Sequence, residues 1–315
     1  SYVSGSILYF DENFQLNDFG YLRRADWIHV GLGGGLKHIN FSKESPVDQI
    51  DMNVDFNYDA DTNGNSNPIR IDQKNEITFK VTSKLKFDFG IKTSGKNTTI
   101  TRKNPDFPFI KINKKKNITL DFEAANYKFW TYDWRISFEK GDKYNSWNSE
   151  GYKREFYKIA GSYFPNDNLK INLQYRIRKE NEWLIWTEDN KFGLYDSEQD
   201  TFSMGLNWFS GNKHEIRLKS QFVALQADNP QSLISDNAGY LYESDELIKP
   251  FAQGVVSFQV RYKYEIAPLS YLYLVYSKGG TSYDEDEDYS KSEIFNQPWN
   301  NPSDEVYSIK FRLKY

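Results

Sequence analysis

The chain has few residues of the two types, histidine and cysteine, that most often act in catalysis. Only His29, His38 and His214 occur, and cysteine is absent altogether, which excludes a cysteine nucleophile, a thiolate metal site and a disulfide framework. A catalytic histidine needs a serine or carboxylate partner, and no nucleophile-bearing motif such as G-x-S-x-G accompanies the three. His29 alternates with apolar residues, and His214 follows a short turn. We therefore predict that they are ordinary polar residues and that the chain has no catalytic site.

One segment matches the opening of a calcium-binding loop. Its candidate ligands are Asp59, Asp61, Asn63 and Asn65, spaced as in D-x-D-x-N-G, where alternate oxygens converge on the ion. The twelfth position is Arg70, where such a loop supplies a bidentate glutamate. A polar hairpin loop explains the same residues without an ion. We favour the hairpin loop, and we predict no cofactor.

Two charged runs have ordinary explanations. The carboxylates from Asp284 to Asp288 could gather divalent cations that bridge lipopolysaccharide phosphates, but a solvated loop explains them as well. Lys114 to Lys116 is too short a run for nucleic acid and predicts a turn. Because the net charge is -4, a globally basic nucleic-acid binder is excluded, and we predict no nucleic-acid partner.

Four tryptophans lie outside the best alternating segments, among Asn, Asp and Tyr residues: Trp147, Trp183, Trp186 and Trp299. This composition suits stacking on sugar rings. The aromatic belts of a membrane interface explain the same residues without a ligand. We favour the belt and keep a surface glycan-binding module as the alternative.

The elements that must position these residues are β-strands. Apolar residues keep one parity over whole segments, and this alternation predicts strands with one apolar face. In the run from 171 to 177, for example, Ile, Leu and Tyr alternate with Asn, Gln and Arg. Comparable runs cover 27–37, 48–58, 76–81, 84–92, 117–125, 130–138, 154–164, 202–208, 216–224, 256–264 and 269–278. We predict an all-β, antiparallel fold of about 14 strands, within a range of roughly 12 to 16.

The connections between strands are of two kinds. Short turns at 165–168, 210–213 and 267–269 alternate with long polar stretches near 140–153, 227–250 and 278–303. This asymmetry is typical of an up-and-down transmembrane β-barrel with short periplasmic turns and long external loops. The stretch from 183 to 195 is either a strand of its own or the raised rim of a hairpin.

The last strand favours a membrane barrel over a soluble sheet. Its apolar or aromatic positions are Tyr307, Ile309, Phe311, Leu313 and Tyr315. Bacterial outer-membrane proteins characteristically end on such an aromatic, as part of a signal read by the barrel assembly machinery. A closed barrel lets this face meet hydrocarbon without an unpaired edge. We predict a location in the bacterial outer membrane, in contact with lipid and lipopolysaccharide. An ordinary C-terminal strand of a soluble sheet is the alternative.

The opposite parity predicts the lining of the barrel. The inward cations are Arg176, Arg178, Arg217, Lys219, Lys310, Arg312 and Lys314, accompanied mainly by the acid Glu215. Elsewhere the inward residues are the acids Asp51, Asp55, Asp121 and Glu123. We therefore predict one basic and one acidic wall if the sheet closes. Such walls create a transverse field across a wide lumen, or pair and plug a narrow one.

Several segments carry a family resemblance: 14–24, 214–219, 261–270 and 271–280. The chain resembles a bacterial outer-membrane family that joins an N-terminal sandwich, similar to carbohydrate-binding modules, to a C-terminal β-barrel. The resemblance implies that residues 1–315 are one barrel domain, the C-terminal part of a longer polypeptide. It also implies that the sandwich and earlier barrel strands are partners of this domain, and it brings no catalytic residue.

The sequence predicts a passive role for this barrel, as a channel or as a scaffold that displays loops and receives a partner domain. The surface glycan-binding module is the alternative. A less favoured alternative is an outer-membrane hydrolase, which would require one histidine within hydrogen-bond reach of a serine or carboxylate near the rim.

Overall fold

The computed structural model describes residues 1–11, 27–62, 64, 66–81, 83–97, 109–127, 129–141, 151–211, 213–285 and 290–314. Nearly all of them lie in strands. The first nine strands are β1 (Tyr2–Phe10), β2 (Trp27–His38), β3 (Val47–Ala60), β4 (Arg70–Phe79), β5 (Ser83–Lys92), β6 (Gly95–Asn97), β7 (Ile110–Ile112), β8 (Lys115–Tyr127) and β9 (Trp130–Gly141). The remainder are β10 (Lys153–Asn166), β11 (Leu169–Glu188), β12 (Lys191–Ser210), β13 (His214–Ser235), β14 (Leu241–Glu243), β15 (Phe251–Ala267), β16 (Ser270–Asp284), α1 (Lys291–Asn300) and β17 (Asp304–Arg312).

One large antiparallel sheet contains most of these strands. Its order is β1-β2-β3-β4-β5-β8-β9-β10-β11-β12-β13-β15-β16-β17, with β14 added beside β13 and a separate β6-β7 pair. The all-β antiparallel prediction is confirmed, and the fourteen strands of the main path fall within the predicted range.

The predicted closure of the barrel is not observed. Within the described residues β1 pairs only with β2, and β17 pairs only with β16, so the sheet is open between its two edges. The prediction rested on alternation, which assigns side chains to faces but does not determine what an edge strand pairs with.

Short and long connections alternate along most of the sheet. The short connections after β4, β8, β10, β12 and β15 lie at one end, and the long connections after β5, β9, β13 and β16 lie at the other. We call these the turn end and the loop end. The exception is the two-residue turn between β11 and β12, which lies at the same end as the long connections.

The two faces of the sheet differ sharply in polarity, because residues directly opposite each other on paired strands share a face. One such row is Tyr175, Phe202, Phe222 and Val256. The adjacent row, on the other face, is Gln174, Ser203, Gln221 and Ser257. The polar face lines a hollow of about 630 Å³ that spans β9 to β15. We call the polar face the concave face and the apolar face the convex face. The apolar face is exposed, as shown by Ile159 at 63% and Leu173 at 47%.

Three central strands extend beyond the rest of the sheet at the loop end. β11, β12 and β13 contain 20, 20 and 22 residues, their neighbours β10 and β15 contain 14 and 17, and β4 and β5 contain 10 each. The ambiguous stretch from 183 to 195 is thus the raised rim of the β11-β12 hairpin.

A small hydrophobic core stabilises this rim. Ile110 of β7 packs there with residues from β11, β12, β13 and β14: Leu184, Phe192, Leu194, Leu233 and Leu241. Since β7 belongs to the connection between β5 and β8, that connection reaches strands several places away in the sheet.

The helix α1 lies in a stretch for which the sequence predicted only a polar loop. It begins with a capping box, in which the Ser290 side chain accepts from the Glu293 backbone and the Glu293 side chain accepts from the Ser290 backbone. Ile294 and Pro298 are buried against the convex face, where a Cβ atom on Gly280 would lie 2.2 Å from the Pro298 carbonyl oxygen. Trp299 packs on Phe258 of the same face, with ring centroids 5.5 Å apart. No helix in the described part of the chain is long and apolar enough to cross a membrane.

Candidate functional site

The concave face carries two adjacent rows of small polar side chains, which we call the neutral rows. Cross-strand pairing from β9 to β15 aligns the first row as Thr131, Ser162, Asn172, Gly205, Lys219 and Gln259, and the second as Asp133, Ala160, Gln174, Ser203, Gln221 and Ser257. All twelve line the hollow of about 630 Å³. Within the first row the Ser162 hydroxyl donates to Asn172 Oδ1 at 2.7 Å. This part of the wall therefore offers hydroxyl and amide groups with little charge.

The rest of the concave face is charged and internally paired. A second hollow of about 350 Å³ lies between β4 and β10. Beside it Asp121, which is buried, forms an ion pair with Arg135. Lys92 and Lys115 approach Glu139 to 3.2 and 3.8 Å. Such pairing on adjacent strands satisfies the charges without leaving a strongly charged surface.

Glu215 is the centre of the charged cluster nearest the turn end. It is buried and contacts Arg217, with Arg261 at 3.0 Å and Lys263 at 3.8 Å. One carboxylate therefore faces three cations, so this cluster carries a net positive charge.

The seven predicted lumen cations occupy different surroundings. Arg178 and Arg217 form ion pairs with Glu180 and Glu215. Arg176 has a buried Nε atom without a hydrogen-bond partner in the described structure, and Lys219 is exposed in the first neutral row. The remaining three, Lys310, Arg312 and Lys314, are exposed on or just after the edge strand β17.

The predicted acidic wall is neutralised by cations that the sequence analysis overlooked. Asp55 pairs with Lys74 at 2.7 Å, Glu123 pairs with Lys86 at 3.1 Å, and Asp121 pairs with Arg135. Asp51 accepts a hydrogen bond from Gln49. The sequence predicts two oppositely charged walls, whereas the structure has ion pairs within each part of the wall. These lysines share the inward parity of the acids, but their pairing depends on strand register.

The candidate calcium ligands do not form a metal site in the described residues. Asp59 accepts from Trp27 Nε1 at 3.1 Å, and its Oδ1 lies 2.7 Å from His29 Nδ1. Asp61 is buried, and Asn63 and Asn65 lie outside the described residues. No group of three or more His, Asp or Glu residues in the described ranges is arranged to hold a metal ion.

The structure describes parts of the two charged runs and some of the four tryptophans. Lys114 precedes β8, whereas Lys115 and Lys116 begin it. Most of the predicted turn is therefore the start of a strand, and Lys115 approaches Glu139. Of the carboxylate run, Glu285 pairs with Lys249 at 3.2 Å, and 286–288 lie outside the described residues, as does Trp147.

An aromatic cluster lies on the concave side at the loop end. Phe251 is its centre, with ring centroids 6.3 Å from Trp183, 5.2 Å from Tyr195 and 5.4 Å from Tyr283. Tyr283 is 60% exposed, so the cluster presents a ring to solvent. By contrast, Trp186 donates to the Asp189 carbonyl at 2.9 Å on the rim.

All nine residues of the last strand β17 are exposed, on both faces of the strand. Tyr307, Ile309, Phe311 and Leu313 are 75%, 68%, 63% and 53% exposed, and Tyr315 lies outside the described residues. Because β17 has no second neighbour among those residues, these values describe an edge strand.

The loop end is locally ordered by hydrogen bonds to one carboxylate. Asp236 accepts from the backbone N–H groups of Tyr240 and Ala238 at 2.8 and 2.9 Å, and from the Tyr242 hydroxyl at 3.1 Å. The bonds from Tyr240 above all, and then those from Tyr242 and Ala238, hold the pKa of Asp236 below its usual range. The turn between β13 and β14 is thus stabilised by the ionised carboxylate.

Comparison with known protein families gives a match over nearly the whole chain. The model of a family described as a domain of unknown function, DUF5916, matches residues 3–315. The chain belongs to the DUF5916 family. Among curated proteins, none matches this DUF5916 chain in sequence.

Two solved structures similar to this DUF5916 chain are forms of one protein. OmpT, an outer membrane protein of Vibrio cholerae folded in vitro, has a TM-score of 0.31 and 8% identity, covering 89% of this chain and 85% of that one. Its loop L8 deletion mutant has a TM-score of 0.30 and 8% identity, covering 81% and 85%.

Proposed function

We propose that this DUF5916 chain spans the bacterial outer membrane as a β-barrel and acts as a passive conduit through its polar interior. The observation that carries the proposal is the separation of the two faces. Exposed apolar side chains cover the convex face, whereas polar side chains line the concave one. A soluble protein rarely exposes so large an apolar surface. In a bilayer the same surface is solvated by lipid tails, and the concave wall encloses water.

The height of the apolar surface supports a membrane span. A transmembrane strand needs about 9 to 11 residues, and β13 supplies roughly that number between His214 and Ala224. At that level α1 covers the convex face, where Ala224, Ala252 and Ile294 form a buried cluster. Lipid tails and the helix cannot occupy the same surface. We therefore place α1 in the outer interfacial region of the membrane and the loop end outside.

A membrane-spanning sheet has to close, because lipid offers no partner for unpaired backbone groups. The edge strand β1 contains neither a charged residue nor proline, so it lacks the usual protection of a free edge. The main path contains fourteen strands, and β1 and β17 consequently run antiparallel. They can pair directly, or an even number of further strands can lie between them, such as the earlier barrel strands implied by the family resemblance.

Closure can be tested by cross-linking, since the natural chain has no cysteine. We would place one cysteine at each outward position of β1 in turn and a second at Ile309. A disulfide within one chain indicates direct pairing, and its absence at every position indicates intervening strands. A disulfide that forms only between two chains would contradict closure within a single chain.

A second candidate function, that of a hydrolase, is favoured by one specific contact. His29 meets the carboxylate of Asp59, as general-base chemistry requires. A Cβ atom on Gly31 would lie 3.1 Å from His29 Nε2 and 2.7 Å from the Ser6 hydroxyl oxygen, so a nucleophile lies nearby. Ester or peptide hydrolysis that is lost in both His29→Ala and Ser6→Ala, with folding retained, would establish this activity and contradict the passive conduit.

The conduit is tested by reconstituting the full chain into planar bilayers. We expect stepwise conductance from protein that has been shown to be folded in detergent. A folded barrel without conductance would favour a scaffold whose loops receive a partner domain, such as the sandwich of the resemblance. Recovery of the chain as a monodisperse folded protein in buffer without detergent would contradict the membrane location itself.

A further inference from the structure

The neutral rows differ in chemistry from the wall immediately above them. Only Asp133 and Lys219 among their twelve residues are charged, and Asp133 is paired with Lys158. The next row toward the loop end contains Arg135, Lys158 and Arg176 in cross-strand register. The concave wall therefore contains a nearly uncharged zone below one of charged, mostly ion-paired residues.

Small side chains make room in this zone. Gly205, Ala160 and Ser203 alternate with the longer amides Asn172 and Gln174, and the hollow of about 630 Å³ lies within the range of small-molecule sites. Six strands placed about 4.8 Å apart give the rows a length of roughly 24 Å. The zone is thus an elongated strip and not a compact pocket.

The hydrogen-bonding groups of the strip are both donors and acceptors. Each Gln or Asn side chain offers two N–H donors and a carbonyl acceptor, and each Ser or Thr hydroxyl does both. Gln221, Ser257 and Gln259 are exposed on the concave face. A ligand that matches them carries many hydroxyl groups and no net charge, since an ion would find no countercharge here apart from Lys219.

The aromatic cluster around Phe251 lies on the same face, on β11, β12, β15 and the adjacent β16. Phe251 and Ser257 are both on β15, six residues apart, which is about 20 Å along an extended strand. The exposed ring of the aromatic cluster, Tyr283, lies directly opposite Gln253 in the sheet. Aromatic rings offer flat apolar faces beside polar tips, and these suit the C–H faces of pyranose rings.

We infer that the neutral rows and the aromatic cluster together bind uncharged, polyhydroxylated solutes, and specifically linear neutral oligosaccharides. The aromatic cluster receives sugar rings at the loop end, and the neutral rows hydrogen-bond the hydroxyl groups further inside. This inference rests on the proposed function, because the strip lines an enclosed interior only in a closed barrel.

The test measures binding and conductance separately on the full chain. Titration calorimetry of the detergent-folded protein compares a linear glucose hexasaccharide with a poly(ethylene glycol) of the same hydrodynamic size, which lacks hydroxyl groups along its length. We expect binding of the sugar and none of the polymer. In planar bilayers we expect the sugar, but not the polymer, to interrupt the current in a concentration-dependent manner.

Variants locate the binding. Replacing both Gln174 and Gln221 by Leu removes hydrogen-bonding groups from the second row, and we expect sugar affinity to fall about tenfold, since two neutral hydrogen bonds are lost. Asn117→Leu is the matched control, a polar-to-apolar change on the charged part of the same face, and should leave affinity unchanged. Tyr283→Ala changes an exposed ring that tolerates substitution, and should weaken binding severalfold even if the double variant fails to fold.

The outcomes separate the inference from the proposed function. Conductance without any difference between sugar and polymer would overturn the inference and leave the conduit intact. Sugar binding that depends on Gln174, Gln221 and Tyr283 in a folded barrel without conductance would support the inference and contradict the conduit. Sugar binding that is equally reduced by Asn117→Leu would overturn the assignment to the neutral rows.

Discussion

Replacing Leu218 by arginine tests whether the convex face lies in lipid. Leu218 is the fifth residue of β13, counted from His214 at the turn end, and it lies opposite Leu206 and Val260 on the convex face. At about 3.4 Å per residue and a strand tilt of about 40°, it lies roughly 10 Å above the turn, close to the middle of an apolar band about 25 Å tall.

Near that depth an arginine that faces lipid costs about 2 to 4 kcal/mol. The matched control is Gln221→Arg, which places the same side chain on the concave face of the same strand, where water solvates it. We expect the control to cost less than about 1 kcal/mol. The two variants place the same charged side chain on opposite faces of one strand, three residues apart.

The assay is urea unfolding of the chain folded into lipid vesicles, followed by tryptophan fluorescence and by the mobility shift of unheated samples on gels. We expect Leu218→Arg to lower the free energy of unfolding by about 2 to 4 kcal/mol or to block insertion. Equal destabilisation by the two variants, or a greater effect of Gln221→Arg, would refute the assignment of the convex face to lipid.

Three further changes test the loop end and the wall. Gly280→Val should unseat α1, because a Cβ atom there meets the Pro298 carbonyl oxygen at 2.2 Å; protease should then cut the 285–303 connection faster, and an unchanged rate would contradict the packing. Hydrogen bonds from the side chain and backbone of Ser290 lower the pKa of Glu293. Their stabilisation of α1 is therefore complete above pH 4.5, the ordinary pKa of the group, and is lost as the pH falls through the lowered pKa. Amide hydrogen exchange in α1 should become faster in that pH range, and should not do so in Glu293→Gln. Glu215→Gln removes the carboxylate that faces three cations, so the reversal potential in a salt gradient should shift toward anion selectivity, and a shift toward cations would contradict the wall assignment.

The faces of the strands could be predicted from the sequence because alternation depends only on local pattern. The run from 171 to 177 assigns Leu173 outward and Gln174 inward, and cross-strand pairing maintains that assignment through Phe202 and Ser203. The same reasoning missed the pairs of Lys74 and Lys86 with acids, because the identity of the opposite residue depends on register, and register depends on the turns.

The alternation of apolar and polar residues could not predict two other features, for different reasons. The start of α1 is encoded locally, in the spacing of Ser290 and Glu293, and a search for capping boxes would have found it. The contact of Ile110 with Leu233 is not encoded locally, because it joins segments more than a hundred residues apart. The neutral rows likewise emerge only when six strands are aligned, since each strand contributes one or two ordinary polar residues.

The unequal strand lengths make the loop end of the sheet much higher on one side than on the other. β12 exceeds β4 by about ten residues, which corresponds to roughly 30 Å along the strand. In the proposed barrel this difference gives the entrance a tall border at β11-β13 and a low border at β4 and β5. A long flexible solute that enters over the low border would then meet the inner side of the tall strands, where Phe251 and its aromatic neighbours lie.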